Sequence, residues 1–168
     1  MHKYCLDTSG FSNPALDLPE NIFVSLWPQI LSRVDAGMFC WNSEIAKELL
    51  SIPGGVGDCL KRNGEIHCYE IADDSWDWPA YVELIGNWHT QFENYISEYN
   101  GNRKNTIGLN DLSIVALAKT LRLPVVSMEK RNTGPQSANK MRIPDLCSRV
   151  SVQHLDFIEL LLAEGIRV

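Results

Sequence analysis

The chain has 168 residues, of which 45% are hydrophobic and 21% charged, and its formal net charge is −6. This length suits one core, so we expect a single domain over residues 1–168, and the composition excludes disordered and fibrous classes. No apolar run approaches the roughly 20 residues that a membrane span needs, and no signal peptide is evident. We therefore expect a cytoplasmic protein without a membrane partner.

The cysteines and histidines do not indicate a zinc site or a disulfide framework. The five cysteines are odd in number and widely spaced, and the four histidines show no ligand spacing. The negative net charge disfavours indiscriminate nucleic-acid binding. It does not exclude an enzyme that acts on nucleic acid, because metal-binding carboxylates themselves lower the formal charge.

The first third of the chain predicts short buried strands separated by helices. In chain order the predicted elements are a strand at 4–6, a turn-rich loop at 12–21, a helix at 25–36, a strand at 38–41 and a helix at 44–50. Pro28 is tolerated because it falls in the first turn of its helix, and Asn42 or Ser43 can cap the next helix.

The remaining elements follow the same alternation. Residues 53–67 are predicted as a loop with a short helix, 73–79 as an acidic loop, 80–99 as a long amphipathic helix and 100–105 as a polar connection. A helix at 109–123 and a strand at 125–127 follow, and then a basic loop at 130–142. The chain finishes with a turn of helix, a strand near 150–152 and a terminal helix. No Lys-Ser/Thr pair follows Gly57, so a plain turn is favoured there over a phosphate-binding loop. Short strands between helices predict a three-layer α/β/α sandwich with a short parallel sheet.

Acidic residues follow the predicted strands. Asp7 follows the first strand, Glu44 or Glu48 lies in the helix after the second, and Glu129 follows the strand rich in valine. Asp111 begins the helix that leads into that strand. Ligands bind at the carboxyl edge of a parallel sheet, and converging carboxylates repel one another unless a cation lies between them. An all-oxygen cluster suits Mg²⁺ or Mn²⁺, although each acid taken alone could be a helix cap, a first-turn acid or a loop acid.

At these residues the chain resembles the PIN-domain family of metal-dependent ribonucleases, which includes the VapC-like toxins of bacterial toxin–antitoxin pairs. The family's amino-terminal strand and its helix–strand segment are similar to "YCLDTS" and "NDLSIVALAKTLRLPVVSMEKR". A PIN-like subfamily with an Ile-Pro-Asp-x-Cys motif is similar to the carboxyl end, "KMRIPDLCSRVSVQHLDFIELLLAEGIRV". The resemblance leaves residues 52–105 without a motif.

The resemblance implies a catalytic set of four acids. Asp7, Asp111 and Glu129 correspond to metal ligands, and one helix glutamate completes the set. The family pattern places that glutamate directly before a leucine, which favours Glu48. Glu44 stays open as the alternative, because the two glutamates lie four residues apart on one helical face.

The implied activity is hydrolysis of RNA phosphodiesters with Mg²⁺ or Mn²⁺, in a homodimeric toxin that an antitoxin protein inhibits. Thr8 and Ser9 would orient the carboxylates or a water molecule. Four cations of the basic loop would contact RNA phosphates, or else form a solvated surface: Lys130, Arg131, Lys140 and Arg142.

Two other functions compete with this interpretation. A phosphatase of the haloacid dehalogenase type also begins with an aspartate after the first strand, but it needs a second aspartate two residues later, where this chain has Ser9. A catalytically inactive PIN fold that serves as a binding module is the alternative that stays open.

Overall fold

The computed structural model describes residues 1–133 and 140–167, and its centre is a sheet of five parallel strands. The strands are β1 (Tyr4–Leu6), β2 (Phe39–Asn42), β3 (Cys68–Tyr69), β4 (Val125–Val126) and β5 (His154–Leu155). Their order across the sheet is β3-β2-β1-β4-β5, and every neighbouring pair is parallel. Cys5 pairs with Cys40 on one side and Val125 on the other, so β1 is the central strand.

Helices cover this sheet, as predicted, in a three-layer α/β/α sandwich. Within the described ranges the helices are α1 (Ser9–Asp17), α2 (Trp27–Asp35), α3 (Ser43–Leu49), α4 (Gly54–Asn63), α5 (Trp78–Gln91), α6 (Leu109–Leu121), α7 (Ile143–Val150) and α8 (Phe157–Ala163), with a 3₁₀ turn at Glu93–Tyr95. Helix α6 packs on β1, β2 and β4 and contacts α5 and α7. In the same ranges, no helix has both the length and the apolar character needed to cross a membrane.

A cluster of aromatic rings joins three helices to β2. The members are Phe11, Trp27, Phe39 and Phe157, and each is at most 1% exposed. The ring centroids of the contacting pairs lie 5.1 to 6.4 Å apart. Strands β1, β2 and β4 are buried throughout, which explains why they are continuous apolar runs in the sequence.

The prediction of a loop at residues 12–21 is wrong for its first part, because helix α1 occupies Ser9–Asp17. Pro14 lies inside this helix and removes one backbone hydrogen bond. Burial of Phe11 and Pro14 offsets this loss. Gly10 lets the start of the helix approach β4, since a Cβ atom there would lie 2.8 Å from the carbonyl oxygen of Val126.

The plain turn expected around Gly57 is also wrong. Residues 54–63 form helix α4, which is longer than the short helix predicted in this region. A Cβ atom at Gly57 would lie 1.7 Å from the carbonyl oxygen of Ile52, so the glycine serves a close backbone approach.

The helix predicted at 80–99 ends earlier, at Gln91, and a 3₁₀ turn follows it. Backbone pairing ends the helix: Ser97 N–H donates to the carbonyl of Ile107 (2.8 Å), and Ile107 N–H donates to that of Tyr95 (2.9 Å). Apolar spacing alone does not reveal this long-range pairing.

The strand predicted near 150–152 lies four residues further on, as β5. Val150 instead ends helix α7, and Ser151 adopts a left-handed conformation with φ of 56°. The N–H of Val152 then donates to the carbonyl of Cys147 (2.9 Å), which closes the helix end before the strand begins.

Candidate functional site

Asp7 lies at the carboxyl end of the central strand and is only 4% exposed. Its backbone N–H donates to the carbonyl of Val126 (3.0 Å), so β4 fixes the point at which the chain leaves the sheet. Its Oδ2 accepts hydrogen bonds from the N–H (3.0 Å) and the hydroxyl (2.5 Å) of Ser9. Burial raises the pKa of Asp7 to about 6; the Ser9 bonds oppose this rise, and the charges of Glu129 and Glu48 add to it.

Asp111 lies in the first turn of α6, and its Oδ2 accepts a hydrogen bond from the N–H of Gly108 (3.1 Å). Burial raises the pKa of Asp111 to about 7, and the neighbouring acids raise it further: Asp7, Glu129 and Glu48. The Gly108 bond opposes this rise. The charges of Asp7, Glu129 and Glu48 therefore all act on Asp111, and we call these four residues the acidic site.

Glu48, and not Glu44, faces this site. Thr8 Oγ1 donates to Glu48 Oε2 (2.6 Å), and Asn110 Nδ2 donates to Glu48 Oε1 (2.6 Å). Glu44 is exposed and accepts from Lys47 Nζ (2.9 Å) on the outer side of α3. The sequence spacing allowed either glutamate to be the helix acid of the site. The packing of α3 against the sheet decides between them, because it turns Glu48 and not Glu44 towards the other acids.

Glu129 joins the acidic site to helix α7. Its Oε2 accepts from the N–H of Ile143 at the start of that helix (2.8 Å). Asp145, two residues further on, accepts from the N–H of Arg142 (3.0 Å) and from Asn132, through both its backbone N–H and its side-chain amide. The Ile-Pro-Asp segment therefore holds Glu129 and both described ends of the basic loop in place.

Thr8 and Ser9 both contact carboxylates of this site. Thr8 donates to Glu48, whereas Ser9 donates to Asp7 and accepts from the N–H of Met128 (3.0 Å). Ser9 therefore connects the loop after β1 to the segment that follows β4. These contacts limit the positions that the two carboxylates can take.

The four acids have no cationic partner in the part of the chain that the structure describes, where the ion pairs involve other residues. Their oxygen-only chemistry suits a hard divalent cation. Within the same residues, no three side chains of His, Cys, Asp or Glu form a group that could already hold a metal ion. Each carboxylate is instead held by its own hydrogen bonds.

A cleft of about 530 Å³ opens beside Glu129. Ser9, Asn13, Met128 and Glu129 form one part of its lining, and Asn105, Thr106, Lys130 and Arg142 complete it. Two of the four predicted RNA-binding cations, Lys130 and Arg142, therefore lie next to Glu129. The guanidinium of Arg142 also donates to Asn105 Oδ1.

The other two predicted RNA-binding cations lie outside this cleft. Arg131 lines a neighbouring cleft, and Lys140 is half-buried and lines neither. Residues 134–139 of the predicted basic loop are outside the described residues. Two of the four cations therefore line the cleft beside Glu129, and the other two do not.

Sequence reasoning missed the polar chain that fixes Asn110. Asn42 Nδ2 donates to Ser113 Oγ (2.8 Å), and Ser113 Oγ donates to the carbonyl of Asn110 (2.7 Å). Asn42 was predicted only as a helix cap, which it is, since its Oδ1 accepts from the N–H of Ile45 (3.1 Å). The available signal was Ser113 within an apolar helix, three residues after Asn110 and on the same face.

Fold and site together define an α/β protein with four acidic residues, of which Asp7 is buried, at the carboxyl edge of a parallel sheet. The chain belongs to the family described as Domain of unknown function (DUF4411), whose model matches residues 4–168. No curated protein matches the chain.

Proposed function

We propose that this protein is a metal-dependent endoribonuclease, as its resemblance to the PIN-domain family implies. The observation that carries the proposal is the placement of four mutually interacting acids at the carboxyl edge of the parallel sheet, where ligands bind. Asp7 and Asp111 are the most informative, since burial and neighbouring charges raise the pKa of both. Without a cation such a cluster is unfavourable, and a bound divalent cation would offset its charge.

Asp7 and Asp111 would hold Mg²⁺ or Mn²⁺, with Glu48 and Glu129 as further oxygen ligands. A bound ion of this kind lowers the pKa of a water molecule and stabilises the charge that develops on a phosphate. Ser9 keeps the carboxylate of Asp7 oriented through its two hydrogen bonds. The side chain of Glu48 is oriented on both oxygens, by Thr8 and by the amide of Asn110.

The cleft beside Glu129 suits an RNA backbone. Lys130 is exposed there, and within the described residues it forms no ion pair. Its ammonium group would therefore contact a phosphate next to the bond that is cleaved. Arg142 contributes positive charge at the same cleft while its guanidinium holds Asn105.

The first test is cleavage of total RNA in the presence of Mg²⁺ or Mn²⁺. We expect the wild type to cleave and the Asp7→Asn variant to lose cleavage while remaining folded. Asp74→Asn is the matched control, because Asp74 is an exposed acid that lies in neither cleft. Equal cleavage by the wild type and Asp7→Asn, or none by folded wild type with either metal, would refute the proposal.

The biological setting that the resemblance implies is a toxin held inactive by an antitoxin protein that covers the four acids, with the toxin itself a homodimer. Expression of the wild type should then arrest bacterial growth, and Asp111→Asn should relieve the arrest. Normal growth at a confirmed level of folded wild-type protein would contradict the toxin role without affecting the nuclease assignment.

The second candidate is a catalytically inactive binding module with the same fold. The observation that favours it is that no group of three metal-binding side chains is already formed in residues 1–133 and 140–167. The two candidates differ in metal binding. A nuclease should bind Mn²⁺ through the acidic site and lose this binding in Asp7→Asn, whereas an inactive module should bind RNA or protein equally well with and without divalent cations.

A further inference from the structure

A second cleft, of about 640 Å³, lies next to Glu129, between β5, one side of α7 and the start of α8. Met128, Glu129 and Lys130 line both this cleft and the one beside the acids. We propose that the second cleft binds a base of the RNA substrate adjacent to the cleaved bond, an inference that rests on the proposed nuclease function. We call it the base cleft.

The base cleft has the size and the apolar surface that a nucleobase needs. Sites for small ligands commonly measure about 300–1,000 Å³ and combine apolar walls with a few polar groups. Here the accessible apolar surface comes from Met128 and Val152, which are half-buried. Pro144 and Cys147 also line the cleft but are buried in helix α7, so they make the wall rigid and add little surface of their own.

Polar groups stand beside this apolar wall. The hydroxyl groups of Ser148 and Ser151 are exposed at the cleft. The imidazole of His154 is held at 2.8 Å from the hydroxyl of the fully buried Ser127. Burial lowers the pKa of His154, and because Nε2 is engaged with Ser127, only the other ring nitrogen can face the edge of a base.

Two acids on one side of the cleft disfavour a phosphate at that side. Asp156 and Glu159 line its far side and are engaged with each other's backbone, with both hydrogen bonds at 2.8 Å. Their negative charge would repel a phosphate group placed there. Lys130 lies at the junction with the acidic cleft, so a phosphate next to it would leave the attached nucleoside free to reach the base cleft.

Arg131 supplies a planar group for stacking. It is exposed at the cleft and takes part in none of the ion pairs of the described residues. Guanidinium groups stack on unpaired bases in complexes of proteins with single-stranded RNA. The apolar wall and Arg131 therefore offer two surfaces for the faces of one base.

Nucleotide titration tests the base cleft without any need for cleavage. AMP, GMP, CMP and UMP are added separately to ¹⁵N-labelled protein, and the amide resonances of Ser148, Ser151 and His154 are followed. Ribose 5-phosphate is the control ligand, because it has the sugar and the phosphate but no base. We expect saturable shifts with at least one nucleotide and none with ribose 5-phosphate. No shift with any nucleotide, or equal shifts with ribose 5-phosphate, would overturn the inference.

Ser148→Trp fills the cleft from an exposed position on α7 and leaves the acids intact. It should weaken nucleotide binding at least about tenfold, as expected for the loss of base stacking. Ser75→Trp is the matched control, since Ser75 is exposed and lines neither cleft, and it should bind as the wild type does. Unchanged binding by folded Ser148→Trp would overturn the inference.

Sequencing of the cleavage products separates this inference from the nuclease assignment. In a pool of random RNA, the wild type should prefer one nucleotide at a position flanking the cut, and Ser148→Trp should reduce this preference while cleavage continues. An unchanged preference in folded Ser148→Trp would contradict the base cleft alone. A protein that binds nucleotides in the base cleft but cleaves no RNA would support the cleft and refute the nuclease.

Discussion

Asp7 is a carboxylate that folding removes from water, and the residues that the structure describes provide it with hydrogen bonds but no ion pair. The N–H and hydroxyl of Ser9 oppose the effect of burial on its pKa but do not cancel it. The carboxylate therefore costs stability at pH values where it is ionised. Such a cost is common at functional sites, where chemistry and not folding determines the residue.

The Asp7→Asn variant should be more stable than the wild type in metal-free buffer at pH 8. Removing the buried charge should raise the free energy of unfolding by about 2 kcal/mol, and the amide oxygen can still accept from Ser9. Urea unfolding in EDTA measures this difference, with Asp74→Asn as the control that should not change stability. A less stable Asp7→Asn would mean that interactions in the folded protein stabilise the ionised carboxylate by more than its burial costs.

Asn110 should act as a positioning residue through Glu48, to which its amide donates. Asn110→Ala should reduce cleavage about tenfold and weaken Mn²⁺ binding by a similar factor, because partners that orient metal ligands commonly have effects of this size. Asn87→Ala is the control, since Asn87 is exposed on α5. A loss of stability without a change in Mn²⁺ binding would assign Asn110 a purely structural role.

Among the elements, α4 depends on one glycine. A Cβ atom at position 57 would lie 1.7 Å from the carbonyl oxygen of Ile52, so Gly57→Ala forces the backbone apart. It should destabilise the protein by about 3 kcal/mol or more. Gly86→Ala is the matched control, because nothing lies within 4 Å of a Cβ atom there, and it should stabilise helix α5 by up to about 1 kcal/mol. Equal stabilities of the two variants, measured in urea, would contradict this account.

Glu164, just after α8, ties the end of the chain to β1 and α2. It accepts hydrogen bonds from Tyr4 (2.7 Å), Arg33 (3.2 Å) and Lys3 (3.3 Å). Burial acts to raise the pKa of Glu164, but these three bonds together outweigh it and hold the pKa below the ordinary value of 4.5.

Because the pKa of Glu164 is lower in the folded than in the unfolded state, its stabilisation is present above pH 4.5 and is lost as the pH falls through the folded-state value. Glu164→Gln should therefore lower stability by about 2 kcal/mol at pH 7 and much less at pH 3. Glu83→Gln, an exposed change on α5, is the control. A deficit for Glu164→Gln that is the same at both pH values would contradict the ionic role.

At the scale of the whole molecule, the fold should not require a metal ion. The core is built from apolar side chains of the sheet and of the helices on it, and the acids lie at its edge. Treatment with EDTA should therefore leave the circular dichroism spectrum unchanged. Mn²⁺ at 100 times its Kd should add about 2.7 kcal/mol of stability to the wild type and almost none to Asp7→Asn. Unfolding in EDTA would contradict the claim that the apolar core folds without a metal ion.

Local patterns predicted those elements whose own residues are sufficient to define them. The strand ending at Asp7 is apolar throughout, and Asn42 caps α3 through its own side chain. Helix α1 was missed because its stability comes from Phe11, which is buried against rings of other elements. The strand β5 was misplaced because the left-handed Ser151 ends α7 at a residue type with no strong preference for that conformation.

The residues of the site also divide into those that local sequence patterns predict and those that only tertiary contacts reveal. The sequence by itself determined that acids follow the strands of a parallel sheet, because strand ends are visible in apolar runs and turn residues. Only the tertiary structure decided that Glu48 and not Glu44 faces Asp7, that Asn110 holds it, and that Ile143 binds Glu129. These contacts join residues 14 to 62 positions apart, and no periodicity within one helix or strand specifies which distant side chain it meets.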